Sequence, residues 1–350
     1  MAPASGREYP GSYGEFLAWF RSDGDCLDYL DWLRWRDGFT CPACGGDRAW
    51  ELRVGRRECA ACGRQSSVTA GTIFHKSRTP LTVWFAAAWL LTSQKSGASA
   101  LGLQRVLGIG SYQTAWAMLH RLRSAMVRPG RDRLSGMVEM DETLLGGVRP
   151  GGKGGRTPGE KILVGVAIER RQPRGFGRCR LAVLPDASTE SLKAFLTAHV
   201  EPGSTVVTDG WQPYKGALQG AYGHERYVAP GQLAHELLPG VHRVASLLDR
   251  WLLSTHQGAV EGDHVQGYLD EFSFRFNRRS SRARGMLFYR LLEQAVASEP
   301  VTYRSMVVNS KSRTSAPSGR RRARYATATL ALPPAERPWR RPAETPSNLS

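Results

Sequence analysis

The chain has 350 residues, of which 41% are hydrophobic and 23% charged, so it is long enough for two or three domains of the usual ~100–200 residues and is neither a short peptide nor a fibre. Its 48 Lys and Arg against 31 Asp and Glu give a formal net charge of +17, which favours a polyanionic partner, nucleic acid first, over an acidic surface. With no run of ~18 apolar residues and no apolar secretory signal, we expect a soluble, cytoplasmic protein with no membrane partner.

The first 35 residues have the apolar periodicity of packing helices. Aromatic and leucine side chains between residues 10 and 36 are spaced for one apolar face, and Asp23-Gly24-Asp25 interrupts the pattern. We predict a pair of helices in residues 1–35, broken at this triplet.

Two Cys-x-x-Cys pairs follow, each with a glycine directly behind it. The pairs are Cys41-Pro-Ala-Cys44 and Cys59-Ala-Ala-Cys62, with Gly45 and Gly63 after them. Six cysteines are too few for a disulfide framework, and unrelated buried cysteines would not fall at paired spacing. Four thiolates at ~2.3 Å close a tetrahedral site with no position for a catalytic water. We therefore predict a zinc ribbon over residues 36–75 that holds one structural zinc.

The ribbon also carries a basic face. Its arginines are Arg53, Arg56, Arg57 and Arg64. A charged face of this kind suits either DNA or a protein partner, and it is also what an ordinary solvated surface looks like.

Residues 78–130 have the pattern of a helix-turn-helix. An apolar helix starts at Pro80, and a short helix from Ser99 is separated by Gly108-Ile109-Gly110 from a longer helix that begins at Ser111. Plain helical bundles share this pattern, so the ribbon and the charge are what favour DNA binding. Inward positions of the longer helix are Ala115, Met118, Leu119 and Leu122, and the candidates for contact with base edges at its exposed N-terminal end are Tyr112, Gln113 and Thr114.

From residue 135 the pattern changes to that of an α/β domain. Strands are expected at 136–145, 162–168, 179–184 and 204–209, with helices at 188–198, 241–253, 263–276 and 286–297. Residues 146–159 contain seven glycines, which predicts a mobile hairpin loop.

The C-terminal part is basic in two places. Aromatic and basic residues alternate where the helix at 263–276 ends, and we expect phosphate contacts from Arg275, Arg278 and Arg279. Residues 301–350 contain ten Lys and Arg against two Glu with little apolar periodicity, which predicts a disordered basic tail.

Two aspartates are candidates for a catalytic metal site. Asp141 lies within one predicted strand and Asp209 ends another, where a carboxylate is costly unless it is solvated, paired or bound to a cation. The alternative is a strand-end aspartate that caps a turn, which suits Asp209 before Gly210. If the two carboxylates converge, they are able to hold two Mg²⁺ ions ~3.5–4 Å apart for phosphoryl transfer on DNA.

The order of these motifs resembles the zinc-ribbon group of DDE-type bacterial insertion-sequence transposases. The resemblance covers residues 15–297 and rests on the ribbon, the helix-turn-helix, Val-Glu-Met-Asp141-Glu, Val-Thr-Asp209-Gly-Trp and Tyr268-Leu-Asp-Glu-Phe-Ser-Phe-Arg-Phe-Asn-Arg-Arg. It implies an RNase H-like catalytic domain over residues 135–300 in which the first and fourth strands lie side by side. It also implies Mg²⁺ or Mn²⁺ as catalytic cofactor, double-stranded DNA as partner (terminal inverted repeats and target), and a homo-oligomer on DNA ends.

The third acidic position departs from the family pattern. Matching the motifs places His242, 33 residues after Asp209, where the family has a carboxylate, and Asp249 where relatives carry a basic residue. Imidazole is a better ligand for softer ions than for Mg²⁺. Glu236 and Glu261 are the carboxylates that compete with His242 for this position. A DNA-binding regulator that has lost catalysis and an RNase H-like nuclease that does not join DNA remain as alternatives to a transposase.

Overall fold

The computed structural model describes residues 3–146, 161–227, 237–258, 262–307 and 338–339. It divides the chain into a first unit, Met1–Met126 with Ser281–Ser350, and a second unit, Val127–Ser280. The predicted catalytic domain ran to residue 300, whereas its last helix packs within the first unit. The helices, ribbon and helix pair predicted as separate domains likewise belong to one unit.

In chain order the described helices are α1 Tyr13–Trp19, α2 Asp23–Arg34, α3 Leu81–Ser93, α4 Ala100–Val106, α5 Tyr112–Ser124, α6 Thr189–His199, α7 Pro213–Leu218, α8 Pro239–His256, α9 Val265–Phe276, α10 Arg284–Ala297 and α11 Tyr303–Val307. The strands are β1 Ala49–Arg53, β2 Arg56–Cys59, β3 Gln65–Ser67, β4 Met137–Leu145, β5 Ile162–Arg170, β6 Phe176–Val183, β7 Thr205–Thr208 and β8 Gly223–Arg226. No described helix combines the length and apolar character needed to cross a membrane.

The predicted pair of helices is present as α1 and α2, and the break between them lies at residues 20–22 rather than at Asp23-Gly24-Asp25, because this triplet opens α2. The hydroxyl of Ser22 accepts a hydrogen bond from the Asp25 N–H (3.2 Å), and the Asp25 carboxylate accepts one from the Ser22 N–H (3.0 Å). This reciprocal capping box satisfies two N–H groups, and the acidic side chains complement the helix dipole. Residues that disfavour a helix interior are therefore well placed in its first turn.

The C-terminal tail contributes to the core of the first unit. Trp339 is 3% exposed and packs against Trp19, Phe20 and Tyr29, with ring centroids 5.1–6.0 Å apart. Its indole N–H donates to the buried carboxylate of Asp28 at 3.1 Å. The prediction of a disordered tail is wrong for this residue, whose indole is a buried aromatic anchor, and for α11, whose Tyr303 ring lies 6.3 Å from that of Trp116. The rest of the tail lies outside the described residues.

The sheet of the second unit has the order β6-β5-β4-β7-β8. Strands β4, β5 and β6 pair antiparallel, whereas β7 pairs parallel to both β4 and β8. Helices α6 and α7 pack on the face that carries Val138, Met140 and Val206, and α8 and α9 cover the face with Val166 and Val207. The four predicted strands are present, and β8 was not predicted because its four residues are short and polar. Most of the glycine-rich loop, 147–160, lies outside the described residues.

Helix α9 closes the open edge of this sheet with two side-chain amides. Asn277 accepts from the Cys179 N–H (2.7 Å) and donates to the Cys179 carbonyl (3.1 Å). Gln266 accepts from the Val183 N–H (3.1 Å) and donates to the Leu181 carbonyl (3.3 Å). The amides replace the backbone groups of a further strand, so the edge strand β6 has fewer unpaired groups for another chain to bind.

Candidate metal centres and nucleic-acid interface

Each Cys-x-x-Cys pair forms a knuckle of the same geometry. Gly45 donates to the Cys41 carbonyl and Gly63 to the Cys59 carbonyl, both at 2.9 Å. These glycines have φ of +75° and +67°, a left-handed conformation that other residues rarely adopt. The glycines behind each pair are therefore required by the turn, as the spacing predicted.

The two knuckles bring the four sulfurs together. The ligand atoms of Cys41, Cys44, Cys59 and Cys62 all lie within 4.8 Å of one another. The Cys41–Cys62 sulfurs are 3.8 Å apart and the Cys44–Cys59 sulfurs 3.6 Å. A tetrahedron with Zn–S bonds of about 2.3 Å has edges of about 3.8 Å. The cluster thus fits a zinc ion, which would hold the ribbon folded and leave no position for substrate.

The thiol pKa values show why a cation belongs among these sulfurs. Backbone N–H groups of Cys44 and Ala43 lower the pKa of the Cys41 thiol to about 6. Although the Gly46 N–H acts in the same direction on Cys44, contacts with the other three sulfurs raise the pKa of Cys44 to about 12. The cluster favours one thiolate and opposes a second, and a divalent cation removes that opposition.

The ribbon is fixed to α2 by two arginines. Arg57 makes a bidentate ion pair with Asp31, with its Nε at 3.1 Å and Nη2 at 2.5 Å from the carboxylate oxygens. Arg34 donates to the carbonyls of Val68 (2.6 Å) and Ala70 (2.7 Å). Arg57 therefore has a docking role, whereas Arg53 and Arg64 of the predicted basic face are exposed.

Asp141 and Asp209 belong to two neighbouring segments of the sheet. Strands β4 and β7 are parallel, with Glu139 opposite Val207; Asp141 follows two residues later within β4, and Asp209 comes directly after β7 ends. Because side chains alternate in direction along β4 and Leu145 faces α8, Asp141 is on the α8 side of the sheet. Each accepts a local backbone bond, Asp141 from the Glu142 N–H (2.8 Å) and Asp209 from the Trp211 N–H (3.0 Å).

Tyr214 and Glu142 lie near Asp141, and sequence reasoning assigned no role to either. The fully buried Tyr214 hydroxyl donates to Glu142 at 2.5 Å. Burial, followed by the charges of Glu142, Asp141 and Asp209, raises the pKa of this phenol well above its ordinary value. The phenol therefore keeps its proton and supports Glu142 from the α7 side of the sheet.

Glu139 is a further residue that sequence reasoning missed, and it holds the start of α8. Its carboxylate is fully buried and accepts from the N–H groups of Gly240 (2.7 Å) and Val241 (3.1 Å) and from Arg170 Nε (2.5 Å). Arg170 in turn donates to the Leu237 carbonyl at 3.0 Å. A carboxylate at a helix N-terminus satisfies unpaired N–H groups and the helix dipole. The signal available in the sequence was an acidic residue inside an apolar strand.

His242 lies in the first turn of α8, next to this anchor, and is half-buried. Among the described residues, the four cysteines are the only group of three or more His, Cys, Asp or Glu whose ligand atoms lie within 4.8 Å of one another. Asp141, Asp209 and His242 thus do not form one compact ligand cluster. Two-metal sites spread their ligands around ions ~3.5–4 Å apart, so a wider spacing suits them. Glu236 and Glu261 lie outside the described residues.

Two family models match this chain. An ISXO2-like transposase domain matches residues 133–277, and a transposase zinc-ribbon domain matches residues 21–65. Together they span more than half of the 350 residues. The chain belongs to the zinc-ribbon insertion-sequence transposases. A relative described as an uncharacterized protein in transposable element ISH50 of Halobacterium salinarum is 29% identical over 279 residues, which cover 73% of this chain and 91% of the relative.

The helix pair of the transposase has the packing that the sequence predicted. Ala115, Met118, Leu119 and Leu122 of α5 are all buried. Ser111 caps α5 by accepting from the Thr114 N–H at 3.1 Å. Of the predicted base-contacting residues, Tyr112 and Gln113 are exposed, whereas Thr114 is half-buried with its hydroxyl 2.9 Å from that of Ser111. Thr114 was expected to be exposed, and its capping contact explains the difference.

The predicted phosphate-binding arginines of the transposase make contacts inside the second unit. Arg275 donates to the buried Glu271 at 3.4 Å. Arg278 lies 3.9 Å over the Phe274 ring. Arg279 donates to the carbonyls of Phe176 (2.5 Å) and Gly177 (3.1 Å). The motif at residues 268–279 thus joins α9 to β6. Phosphate contact by these three arginines stays a prediction.

Proposed function

We propose that this chain is a DDE-type DNA transposase that binds the terminal inverted repeats of its insertion sequence and catalyses metal-dependent DNA cleavage and strand transfer. The observation that carries the proposal is the parallel pairing of β4 with β7, after which Asp141 follows within β4 and Asp209 directly follows the end of β7. The sheet order, three antiparallel strands followed by two parallel ones, supports an RNase H-like catalytic domain.

Asp141 and Asp209 are the proposed ligands of the catalytic Mg²⁺ or Mn²⁺. Two such ions, when bound, stabilise the attacking and leaving oxygens of an in-line displacement at a phosphodiester. His242 is the proposed third ligand, because α8 begins over the same face of the sheet. Glu139 positions α8 through its two backbone bonds, and Tyr214 fixes Glu142 behind Asp141. These side chains hold the two aspartates in place.

DNA binding is assigned to the first unit. We propose that α4 and α5 form a helix-turn-helix, with Tyr112 and Gln113 at the end that contacts base edges and Thr114 in a capping role beside them. The ribbon adds the exposed Arg53 and Arg64. A net charge of +17 suits repeated contact with phosphates and makes affinity fall steeply with salt.

The experiment is a strand-transfer assay on pre-cut duplexes that carry the inverted repeats flanking the gene. Asp141→Asn and Asp209→Asn each remove one charge from the proposed metal site, so we expect both to lose cleavage and joining and to retain end binding. Glu190→Gln, an exposed carboxylate on α6, is the matched control and should behave as wild type. Both aspartate variants remaining active would contradict the proposal.

His242 is tested in the same assay with both metals. Since imidazole brings no charge and suits Mn²⁺ better than Mg²⁺, we expect His242→Ala to cost less activity than the aspartate changes, and wild-type activity to be higher in Mn²⁺. His242→Glu should retain or improve activity in Mg²⁺. If His242→Ala equals wild type and Glu236→Ala or Glu261→Ala is inactive, that glutamate is the third ligand.

The same assay separates the two alternatives. A DNA-binding regulator without catalysis would bind the repeats and neither cut nor join them in either metal. The missing third carboxylate is the observation that favours this alternative. A nuclease cuts the ends and yields no joined product.

A further inference from the structure

The first unit contains a cavity of about 400 Å³ between the segment that follows the ribbon and the exposed end of α5. Three of the described residues that line it are cationic, Lys76, Arg78 and Arg121, and none is acidic. Like charges that converge on one cavity repel each other, and an anion between them relieves that repulsion. The charge of the lining therefore points to an anionic ligand.

Arg121 has an unused donor at this cavity. Its Nε is buried, and nothing in the described part of the chain accepts a hydrogen bond from it. Burial also lowers the pKa of the Arg121 guanidinium. A buried charged donor without an acceptor is costly, and an oxygen anion in the cavity supplies the missing acceptor.

The segment of the opposite wall, which carries Lys76 and Arg78, is fixed to α3. Ser77 accepts from the Trp84 indole N–H (2.8 Å) and from the Thr79 N–H (3.2 Å), which fixes this segment to α3. Lys76 has φ of +53°, a left-handed conformation that is unfavourable for a lysine. A glycine would adopt this backbone at less cost, which indicates that the lysine side chain itself is used here.

Position and volume indicate which anion the cavity takes. It is also lined by Gln113 and Thr114, the end of α5 assigned to base contact. Its volume falls in the range of about 300–1,000 Å³ that is usual for ligand cavities, and Ala117 and Met118 give it an apolar floor. A phosphate with its attached sugar suits such a site.

We propose that this cavity binds one phosphate group of the DNA backbone and thereby sets the register of α5 on its binding site. The inference rests on the proposed DNA-binding function and adds to it a specific phosphate site built by Lys76, Arg78 and Arg121. Contacts of this kind position a protein on DNA without selecting the sequence.

The test measures the affinity of the full-length, zinc-loaded chain for an element-end duplex and a scrambled duplex between 50 and 300 mM salt. We expect Arg121→Gln to weaken binding to both duplexes by the same factor, about tenfold at 100 mM salt. The slope of log K against log salt should become less steep by about 0.9. The exposed Lys76→Ala should act in the same way without any effect on folding. Gln113→Ala should change the ratio between the duplexes and leave the slope unchanged.

Arg105→Gln, which changes an exposed arginine on α4 outside the cavity, is the matched control and should flatten the slope by less than Arg121→Gln does.

Pyrophosphate at constant ionic strength should raise the melting temperature of the wild type and not that of Lys76→Ala. If the chain binds DNA with a steep slope that neither cavity variant changes, the cavity inference is wrong and DNA binding stands. Pyrophosphate binding with unchanged DNA affinity would assign the cavity to a small polyphosphate and overturn the inference. Absence of DNA binding by the wild type would instead refute the proposed function.

Discussion

The two candidate metal centres of this protein are built in opposite ways. The four cysteines fall within residues 41–62, and each pair converges through a turn that its own glycine permits. Asp141 and Asp209 are 68 positions apart, and only the parallel pairing of β7 with β4 puts the chain segments that carry them side by side. A local site depends on nearest neighbours along the chain, whereas a long-range site depends on the order of the whole sheet.

The candidate aspartate site, here the long-range centre, also needs support from other elements, whereas the cysteine cluster, the local centre, does not. The face of the long-range centre is completed by α8, which the buried carboxylate of Glu139 holds in place, and by Tyr214 behind the strand. None of these contacts follows from a spacing rule. Four perturbations test this contrast, taken from the largest expected effect to the smallest.

The local centre should fail completely when one ligand is lost. Cys59→Ser removes a thiolate from a closed site, and structural zinc contributes about 10–16 kcal/mol of folding free energy in small zinc domains. We expect loss of the zinc and unfolding of residues 36–75, measured by metal analysis and limited proteolysis, with the second unit still folded. Cys179→Ala, a buried cysteine of the second unit, is the control that keeps one zinc per chain.

The anchor of α8 should be the weak point of the long-range centre. Glu139→Ala leaves Arg170 and two N–H groups without their buried acceptor, which should cost about 3–5 kcal/mol in the second unit. Gly240→Ala disturbs the same helix start, because its Cβ would lie 2.6 Å from the Phe176 ring and 2.8 Å from the Glu139 carboxylate. Urea unfolding and strand transfer measure the two effects, with Glu190→Gln as control. Full joining activity with either variant would show that α8 does not need this anchor.

Trp339 tests a contact that spans almost the whole chain. Replacing this buried indole by alanine leaves a cavity among three aromatic rings and removes one donor from the Asp28 carboxylate, so about 3 kcal/mol should be lost in the first unit. Hydrogen exchange of α1 and α2 is the measurement. Trp50→Ala is the matched control, because Trp50 is 67% exposed, and it should change protection very little. Equal protection in both variants would mean that the tail does not dock.

The smallest effect is expected at the sheet edge. Asn277→Ala leaves the Cys179 N–H without its side-chain acceptor and removes one of the two side-chain donors to the Cys179 carbonyl, at a cost of about 2 kcal/mol. Faster hydrogen exchange in β6 should follow, together with self-association at high concentration as the edge becomes available. The exposed Gln212→Ala should show neither change. An unaltered β6 would indicate that the amide is dispensable.

Several features followed from local sequence rules alone. The apolar periodicity placed α3, α5, α6 and α8 to within a few residues, and the spacing of the cysteines and their glycines predicted both knuckles. The resemblance to transposases was confirmed by the family models. These features depend on contacts within one turn, one helix face or one strand, which a linear pattern records directly.

Other features were decided by the tertiary structure. The roles of Glu139, Asn277 and Arg279 depend on partners about 100 positions away, and Trp339 bonds to a residue 311 positions away. A buried charge or amide is stable only beside its partner, and no spacing rule states which segment the fold brings there. The sequence by itself thus determined most of the helices and strands and the convergence of the four cysteines. The fold decided which carboxylate holds α8, which arginines are used for packing, and that Trp339 joins the core of the first unit.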